Sequence, residues 1–144
     1  MMNLKPEEST DDQGTRPYLT LTGLGDLAAG QHLRVMLGES ISIGRSRHCD
    51  WSLRLTPRFL KSRSASRVAI KEDLAYSSVS REHATIAYLA PDRVEVRNLS
   101  GNGTLVDGRL ADKIVLTDCP TATHRIQLGP KGVILELQPG SLPI

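Results

Sequence analysis

Short stretches in which apolar and polar residues alternate run through most of the chain, and they restrict its fold more than any other feature. A period of two places every second side chain on one face of a β-strand, whereas a helix requires a period of 3.6 residues. The apolar residues of these stretches are Leu19 and Leu21; Leu33, Val35 and Leu37; Ile41 and Ile43; Trp51, Leu53 and Leu55; Ala84, Ile86 and Tyr88; Val94 and Val96; Ile126 and Leu128; and Val133, Leu135 and Leu137. No window of a dozen residues keeps an apolar stripe at the helical period. The sequence therefore predicts half-buried strands and little helix.

Turn-forming residues separate these stretches. Glycine, proline, asparagine and aspartate cluster at 23–30, 38–39, 91–92, 101–103, 107–108 and 129–132. Many short strands joined by turns at this spacing are typical of an all-β antiparallel sandwich. Within it, Asn102-Gly103 is predicted to form a tight hairpin. Both central positions of the preferred hairpin turn need a positive φ, which asparagine and glycine adopt more readily than other residues.

Composition excludes several classes of function. The chain has 144 residues, of which 39% are hydrophobic, and this is enough for one domain with a buried core. Its net charge of +2 is far from the basic excess of a dedicated nucleic-acid binder. One tryptophan, three tyrosines and one phenylalanine are too few for a platform that stacks single-stranded nucleic acid.

The cysteines and the start of the chain bear on the compartment. Cys49 and Cys119 are too few for a disulfide framework and too far apart for zinc-ligand spacing, so buried free thiols are predicted, with no metal or cofactor. The first residues lack the apolar core of a signal peptide, and no later stretch approaches the roughly 18 apolar residues that span a bilayer. We therefore expect a soluble, cytoplasmic protein without a membrane partner.

The ends of the chain and one internal segment differ from the rest. Residues 1–17 are acidic and nearly free of apolar side chains, which predicts a flexible tail. Residues 18–138 are expected to form the folded domain, and residues 139–144 a short C-terminal tail. The segment at about 56–73 is rich in lysine, arginine and serine. It is predicted to be a long basic loop inserted between two strands.

Three short motifs follow one another along the chain and carry groups that suit a phosphate ligand. They are Gly44-Arg45, Ser80-Arg81-Glu82-His83 and Asn102-Gly103-Thr104. A phosphate dianion carries about −1.5 to −2 charges and three acceptor oxygens, which favour guanidinium groups and fixed hydroxyl or N–H donors. Together the motifs resemble the signature of the forkhead-associated (FHA) domain, and the resemblance extends from about residue 18 to about residue 137.

The resemblance implies both a fold and a function. The fold is an FHA/SMAD-like β-sandwich of about eleven short strands, whose loops at one end bind a phosphothreonine-containing peptide. The implied phosphate-binding residues are Arg45, Ser80 and Arg81. The implied peptide-binding residues are Asn102 and Gly101. The residues implied to be architectural are Gly44, His83, Gly103 and Thr104, with His83 ordering the loop that bears Ser80.

The chain departs from the family pattern in two places. Gly101 stands where many relatives carry threonine or serine, so one hydroxyl donor to the phosphate is missing. The insert also makes the stretch between Arg45 and Ser80 longer than is usual in the family. Each residue alone also has an ordinary structural interpretation, such as a solvated arginine or a turn serine.

The sequence is also compatible with functions other than that of a phosphothreonine reader in signalling. The same fold can serve as a scaffold for phospho-independent assembly, and the basic insert can contact a polyanion, although nucleic acid is not the expected partner. An enzyme built on Ser80 and His83 is not expected, because the chain has no G-x-S-x-G nucleophile motif.

The N-terminal tail contains a candidate phosphorylation site at Thr10, which acidic residues follow. Only nine residues separate Thr10 from Leu19, a reach of about 30 Å. The family resemblance implies that the termini lie at the end of the sandwich away from the binding loops. Phosphorylated Thr10 would therefore dock more easily on a second copy than on its own site, giving self-association. The alternative is a tail that only adds solubility.

Overall fold

The computed structural model describes residues 15–57, 60, 74–130 and 133–143. The strands within these residues are β1 (Thr15–Leu24), β2 (His32–Met36), β3 (Ser40–Gly44), β4 (Trp51–Ser52), β5 (Ala84–Ala90), β6 (Arg93–Asn98), β7 (Thr104–Val106), β8 (Arg109–Leu110), β9 (Lys113–Leu116), β10 (His124–Leu128) and β11 (Val133–Pro143). The other elements are α1 (Gly25–Ala28), a 3₁₀ turn (Leu53–Leu55) and α2 (Leu74–Ser77). The prediction of an all-β chain with little helix is confirmed.

The strands form two sheets that share one core. The larger sheet has the order β2-β1-β11-β10-β7-β8, and the smaller has the order β4-β3-β5-β6-β9. Long antiparallel pairing of β1 with β11, from Thr15 opposite Pro143 to Leu24 opposite Ile134, forms the centre of the larger sheet. All pairs are antiparallel except the short β3–β4 pair. The predicted antiparallel sandwich of about eleven strands is confirmed.

Alternate residues of both sheets fill the core. Leu21 of β1 lies opposite Leu137 of β11 in the larger sheet, and Ile86 of β5, in the smaller sheet, belongs to the same buried cluster; all three are at most 1% exposed. Full burial of an aliphatic side chain of this size contributes about 1.5–3 kcal/mol. The alternation in the sequence therefore corresponds to an inward and an outward face on each strand.

Two residues of the predicted strands lie outside the core. Leu37 follows the end of β2, in a turn whose Gly38 has a φ of +90°, and is 40% exposed. Leu55 is also 40% exposed, because the strand stops at Ser52. The Ser52 hydroxyl accepts a hydrogen bond from the Arg54 N–H at 3.1 Å, which begins a 3₁₀ turn. Local capping by a serine thus overrides the alternating pattern here.

The predicted Asn102-Gly103 hairpin is wrong. Gly103 has a φ of +89°, but Asn102 does not have a positive φ, and the strands on either side, β6 and β7, belong to different sheets. The tight hairpin lies one turn later, where Asp107 (φ 51°) and Gly108 (φ 84°) connect β7 to β8. An Asn-Gly pair indicates that the chain turns, but it does not indicate which sheet the next strand joins.

Several predictions concern residues outside the described ranges. They are the acidic tail up to residue 14 and the insert at 58–59 and 61–73, so the character of both segments stays a prediction. At the domain limits, β1 begins at Thr15 and β11 ends at Pro143, so paired strand extends into residues 15–17 and 139–143 of the two predicted tails. In the part of the chain that is described, no helix is long and apolar enough to cross a bilayer.

A buried histidine between two carboxylates joins β10 to the neighbouring turns. His124 is 7% exposed; its Nδ1 lies 2.5 Å from Asp107 Oδ2, and its Nε2 lies 2.7 Å from Asp118 Oδ1. A neutral imidazole donates from only one nitrogen, so the protonated form suits both contacts. Burial by itself lowers the pKa of His124, but the hydrogen bonds to the two carboxylates outweigh it and raise the pKa above its ordinary value.

We expect His124→Gln to destabilise the fold more at about pH 6 than at about pH 8. The raised pKa means that the imidazolium contributes stability that is fully present below the unfolded pKa of about 6.5 and is lost as pH rises through the folded pKa. Urea unfolding at both pH values measures the effect, expected to be about 1–2 kcal/mol at the lower pH.

His32→Gln provides the control, because His32 is exposed on β2. A loss of stability in His124→Gln that is equal at both pH values would contradict the charged role of this imidazole.

Candidate functional site

Three loops meet at one end of the sandwich. They connect β3 to β4, α2 to β5, and β6 to β7. Backbone hydrogen bonds join the first two, from Arg45 N–H to the Ser80 carbonyl at 2.9 Å and from Ser46 N–H to the Arg81 carbonyl at 3.1 Å. The loops that carry the three sequence motifs are therefore in direct contact.

Gly44 allows this close approach. A β-carbon at position 44 would lie 2.1 Å from the Arg81 carbonyl oxygen and 3.0 Å from that of Ser80, both of which are backbone atoms. These distances are too short for any side chain, so only glycine fits without a shift of one loop. The residue next to it, Arg45, is thereby held against the Ser80 loop.

His83 joins the second loop to the third. Its side chain is fully buried; Nδ1 accepts a hydrogen bond from the Ser80 N–H at 3.0 Å, and Nε2 lies 2.7 Å from the Gly103 carbonyl. Because Nδ1 accepts, the proton sits on Nε2 and is donated to Gly103. Burial lowers the pKa of His83, only partly opposed by the Gly103 carbonyl, so the ring is neutral when it makes both bonds.

A short chain of hydroxyl and amide groups lies at the mouth of the site. The Ser80 and Ser100 hydroxyl oxygens are 2.5 Å apart, and Ser100 Oγ also accepts a hydrogen bond from the Asn102 N–H at 3.0 Å. The Asn102 side-chain amide donates to the Ser78 carbonyl at 2.9 Å. Ser80 is thus linked through Ser100 to the backbone of Asn102.

Asn98 fixes the turn in which Ser100 and Asn102 lie. Its Oδ1 accepts hydrogen bonds from the Ser100 N–H at 3.1 Å and the Thr104 hydroxyl at 2.7 Å, and its Nδ2 donates to the Ser100 carbonyl at 2.9 Å. The Gly103 N–H closes the turn on the Ser100 carbonyl at 3.2 Å. Polar side chains rather than a regular strand pair therefore hold this loop.

The Arg45 guanidinium borders a cleft of about 450 Å³. The cleft is lined by Arg45, Ser46, Arg47, His48, Arg54, Tyr76 and Arg81. Arg45 Cζ lies 5.6 Å from the centre of the Tyr76 ring, close enough for a cation–π contact. Arg45 Nε is buried and has no hydrogen-bond partner within the described residues, which is a costly state for a charged donor.

The structure gathers the residues that the sequence motifs singled out. Arg45 is half-buried at the cleft, and Ser80 is half-buried beside Ser100. Arg81, Gly101 and Asn102 are exposed at the same end of the sandwich. Their roles as ligand-binding residues stay predictions, as does the architectural role of Gly44, His83, Gly103 and Thr104.

Sequence reasoning missed Ser100 and Tyr76. Ser100 is two residues before the third motif, but only the fold shows that its hydroxyl contacts Ser80. Tyr76 is one of few aromatic residues and precedes Ser80 by four positions. This position near the second motif was the only indication in the sequence that Tyr76 lies at the site. The contact of Arg47 and His48 with the same cleft had no signal in the sequence.

A sequence model of the FHA domain matches residues 41–129, which is more than half of the chain. The chain belongs to the FHA family. The resemblance seen in the motifs is therefore confirmed, and FHA domains are interaction modules rather than enzymes. No curated protein sequence gives a significant match.

Solved structures of other FHA domains share the fold of this one. The FHA domain of the CT664 protein from Chlamydia trachomatis is 21% identical, with a TM-score of 0.56, covering 85% of this chain and 95% of that chain. The FhaA FHA domain, solved in complex with the intracellular domain of Rv3910, is 23% identical, with a TM-score of 0.51, covering 85% and 99% of the two chains. The MEK1 FHA domain, solved with a phosphothreonine peptide of HOP1, is 18% identical, with a TM-score of 0.50, covering 83% and 94%. These similarities show the fold.

We expect Gly44→Ala to destabilise this FHA domain, whereas Gly101→Ala leaves its stability nearly unchanged. The first substitution places a β-carbon 2.1 Å from a backbone oxygen, and such overpacking costs about 1–3 kcal/mol or more. The second meets nothing within 4 Å, so a change within about 0.5 kcal/mol is expected. Urea unfolding of both variants measures the difference, and equal stabilities would show that the two loops are not held in close contact.

Proposed function

We propose that this FHA domain binds phosphothreonine-containing segments of other proteins and mediates phosphorylation-dependent interaction in signalling. The observation that carries the proposal is the position of Arg45. Its guanidinium has a buried Nε that lacks a hydrogen-bond partner among the residues the structure describes, and it borders an open, arginine-lined cleft beside the Ser80 loop. A phosphate dianion would supply the acceptor that this donor lacks.

The proposal gives each site residue a distinct task. Arg45 and Ser80 hold the phosphate, and Arg81 adds a contact from the exposed edge of the cleft. Asn102 binds the main chain of the peptide near the phosphothreonine, and Gly101 lies beside it without a side chain to donate. One N–H of the Asn102 amide donates to the Ser78 carbonyl, which leaves its second N–H and its carbonyl oxygen for the main chain of the peptide.

Ser100 takes a supporting task in the proposal. Its oxygen accepts from the Asn102 N–H, so its own hydroxyl proton is available to donate to Ser80 Oγ. The Ser80 hydroxyl then donates its hydrogen bond to the phosphate rather than to another group of the protein. Hydrogen bonds in such a chain polarise one another, which strengthens the last donor.

We expect Arg45→Ala and Ser80→Ala each to weaken phosphothreonine-peptide binding by roughly ten- to a hundredfold while the fold survives. Each removes a charge-assisted hydrogen bond to a desolvated phosphate, worth about 1.5–3 kcal/mol. Calorimetric titration measures the affinity, and unfolding curves check the fold. His83→Ala serves as the contrast, because it should lower the melting temperature first and affect binding through the loop. Unchanged binding in both Arg45→Ala and Ser80→Ala would show that the phosphate does not bind at this site.

The same titration separates the other candidate functions. A reader prefers phosphothreonine over phosphoserine and over the unmodified peptide. A phospho-independent scaffold binds its partner equally well with and without the phosphate. A polyanion binder that uses the basic insert loses affinity steeply with salt for every charged target.

The proposal places the protein in the cytoplasm and gives it no catalytic activity. Both described cysteines, Cys49 and Cys119, are free and buried, and free thiols persist in a reducing compartment. Burial raises the pKa of Cys119 to about 11, so this thiol is a poor nucleophile at neutral pH.

The proposal also includes self-association through phosphorylated Thr10. Thr15 pairs with Pro143 at the far end of β11, whereas Val133, at the other end, follows the Gly129 turn that contacts Gly103. Strand β11 is about 30 Å long, whereas the five residues from Thr15 back to Thr10 reach at most about 18 Å. Thr10 therefore cannot extend along β11 to the site at its other end. The geometry therefore favours docking on a second copy.

Light scattering on protein phosphorylated at Thr10 tests self-association. We expect dimers or longer chains that dissociate in the Arg45→Ala variant, because the docking would use the same phosphate site. A phosphorylated protein that stays monomeric at high concentration would contradict self-association through Thr10, but it would not contradict the proposed peptide binding.

A further inference from the structure

The cleft beside Arg45 carries more positive charge than one phosphate group requires. Four arginine side chains line it, whereas a phosphothreonine brings only about −1.5 to −2 charges. Two of the four, Arg45 and Arg81, are the proposed phosphate contacts. Arg47 remains, with His48 next to it in sequence, on lining that a single phosphate does not use.

A braced turn presents Arg47 and His48 at this cleft. The Cys49 N–H donates to the Ser46 carbonyl at 3.0 Å, so Arg47 and His48 occupy the central positions of a four-residue turn. The His48 N–H donates to the Ser46 hydroxyl at 3.1 Å. The Cys49 thiol donates to the Arg81 carbonyl at 3.1 Å, which ties the turn to the second loop. The backbone that carries these two basic residues is thus fixed before any ligand binds.

The neighbouring carboxylates do not neutralise these side chains. Arg97 and Arg125 form ion pairs with Glu95 and Glu136 away from this cleft. Within the described ranges, no carboxylate forms an ion pair with Arg45, Arg47 or Arg81.

The acidic residue closest along the chain, Asp50, is already occupied. Its Oδ2 accepts hydrogen bonds from the Ser42 N–H at 2.8 Å and from the Ser42 hydroxyl at 3.2 Å. These bonds turn the Asp50 carboxylate towards β3 instead of the cleft. The positive charge of Arg47 is therefore available to a ligand.

We propose that the cleft binds a second anionic group of the same peptide, either a second phosphorylated residue or an aspartate or glutamate side chain, through Arg47 and His48. This inference rests on the proposed phosphothreonine function and names its ligand class: acidic or doubly phosphorylated segments. Arg54 and Tyr76 complete the wall of the cleft on which the second group is held.

Matched peptides test the second anionic group. One set carries phosphothreonine in a neutral background, a second adds one aspartate at successive positions on either side, and a third adds a second phosphate instead. Calorimetric titration with the full chain should give roughly three- to tenfold tighter binding at one of the positions, and a larger gain for the second phosphate than for aspartate.

The Arg47→Ala and Arg93→Ala variants show where the gain arises. Both remove one exposed arginine, but Arg93 begins β6 at the end of the smaller sheet away from the site, since its partner Ala90 ends β5. The ratio of affinities for acidic and neutral peptides should fall towards one in Arg47→Ala and persist in Arg93→Ala.

The outcomes separate this inference from the function on which it rests. Equal affinity for neutral and acidic phosphothreonine peptides, or an equal loss of the ratio in both variants, would overturn the second anionic site and leave the reader function standing. Binding of acidic peptides that does not depend on phosphothreonine would overturn both.

Discussion

One neutral imidazole connects two of the three loops that meet at one end of this FHA domain. His83 accepts a hydrogen bond from the backbone of Ser80 and donates one to the backbone of Gly103, so a single buried side chain sets the distance between two loops. Protonation would remove the acceptor at Nδ1, and burial opposes this by lowering the pKa. The position of Ser80 therefore depends on a histidine that need not touch a ligand at all.

Charged and uncharged polar groups have separate tasks in this end of the sandwich. The uncharged side chains form hydrogen bonds with the backbone of the same loops; they are Asn98, Ser100 and Asn102. A buried polar group left without a hydrogen-bond partner would cost about 1–3 kcal/mol. The arginines make few such bonds, and the buried Nε of Arg45 makes none within the described residues. The loops are thus stabilised without using the arginine charges, which stay available to the proposed ligand.

The sequence predicted the sandwich because alternation is a local signal that directly reflects the two faces of a strand. It predicted that three loops carry a phosphate site because their motifs occur in family order, and the fold brings these loops into contact. It did not predict that Asn102-Gly103 leads into the other sheet, since a turn dipeptide has no information on the next pairing partner. Nor did it predict the contact between Ser80 and Ser100, because the two residues are 20 positions apart and meet only after both sheets have formed.

The amino-acid sequence by itself determined the class of fold, the family and the residue types at the binding end. Period-two patterning, turn-forming residues and short motifs are all properties of neighbouring residues. They can therefore be identified from the sequence without the tertiary structure. Only the tertiary structure decided that Gly44 must lack a side chain, that His83 carries its proton on Nε2, and that Arg47 and His48 share a cleft with Arg45. These facts depend on distances between residues far apart in the chain, which are set by the packing of the two sheets rather than by any local preference.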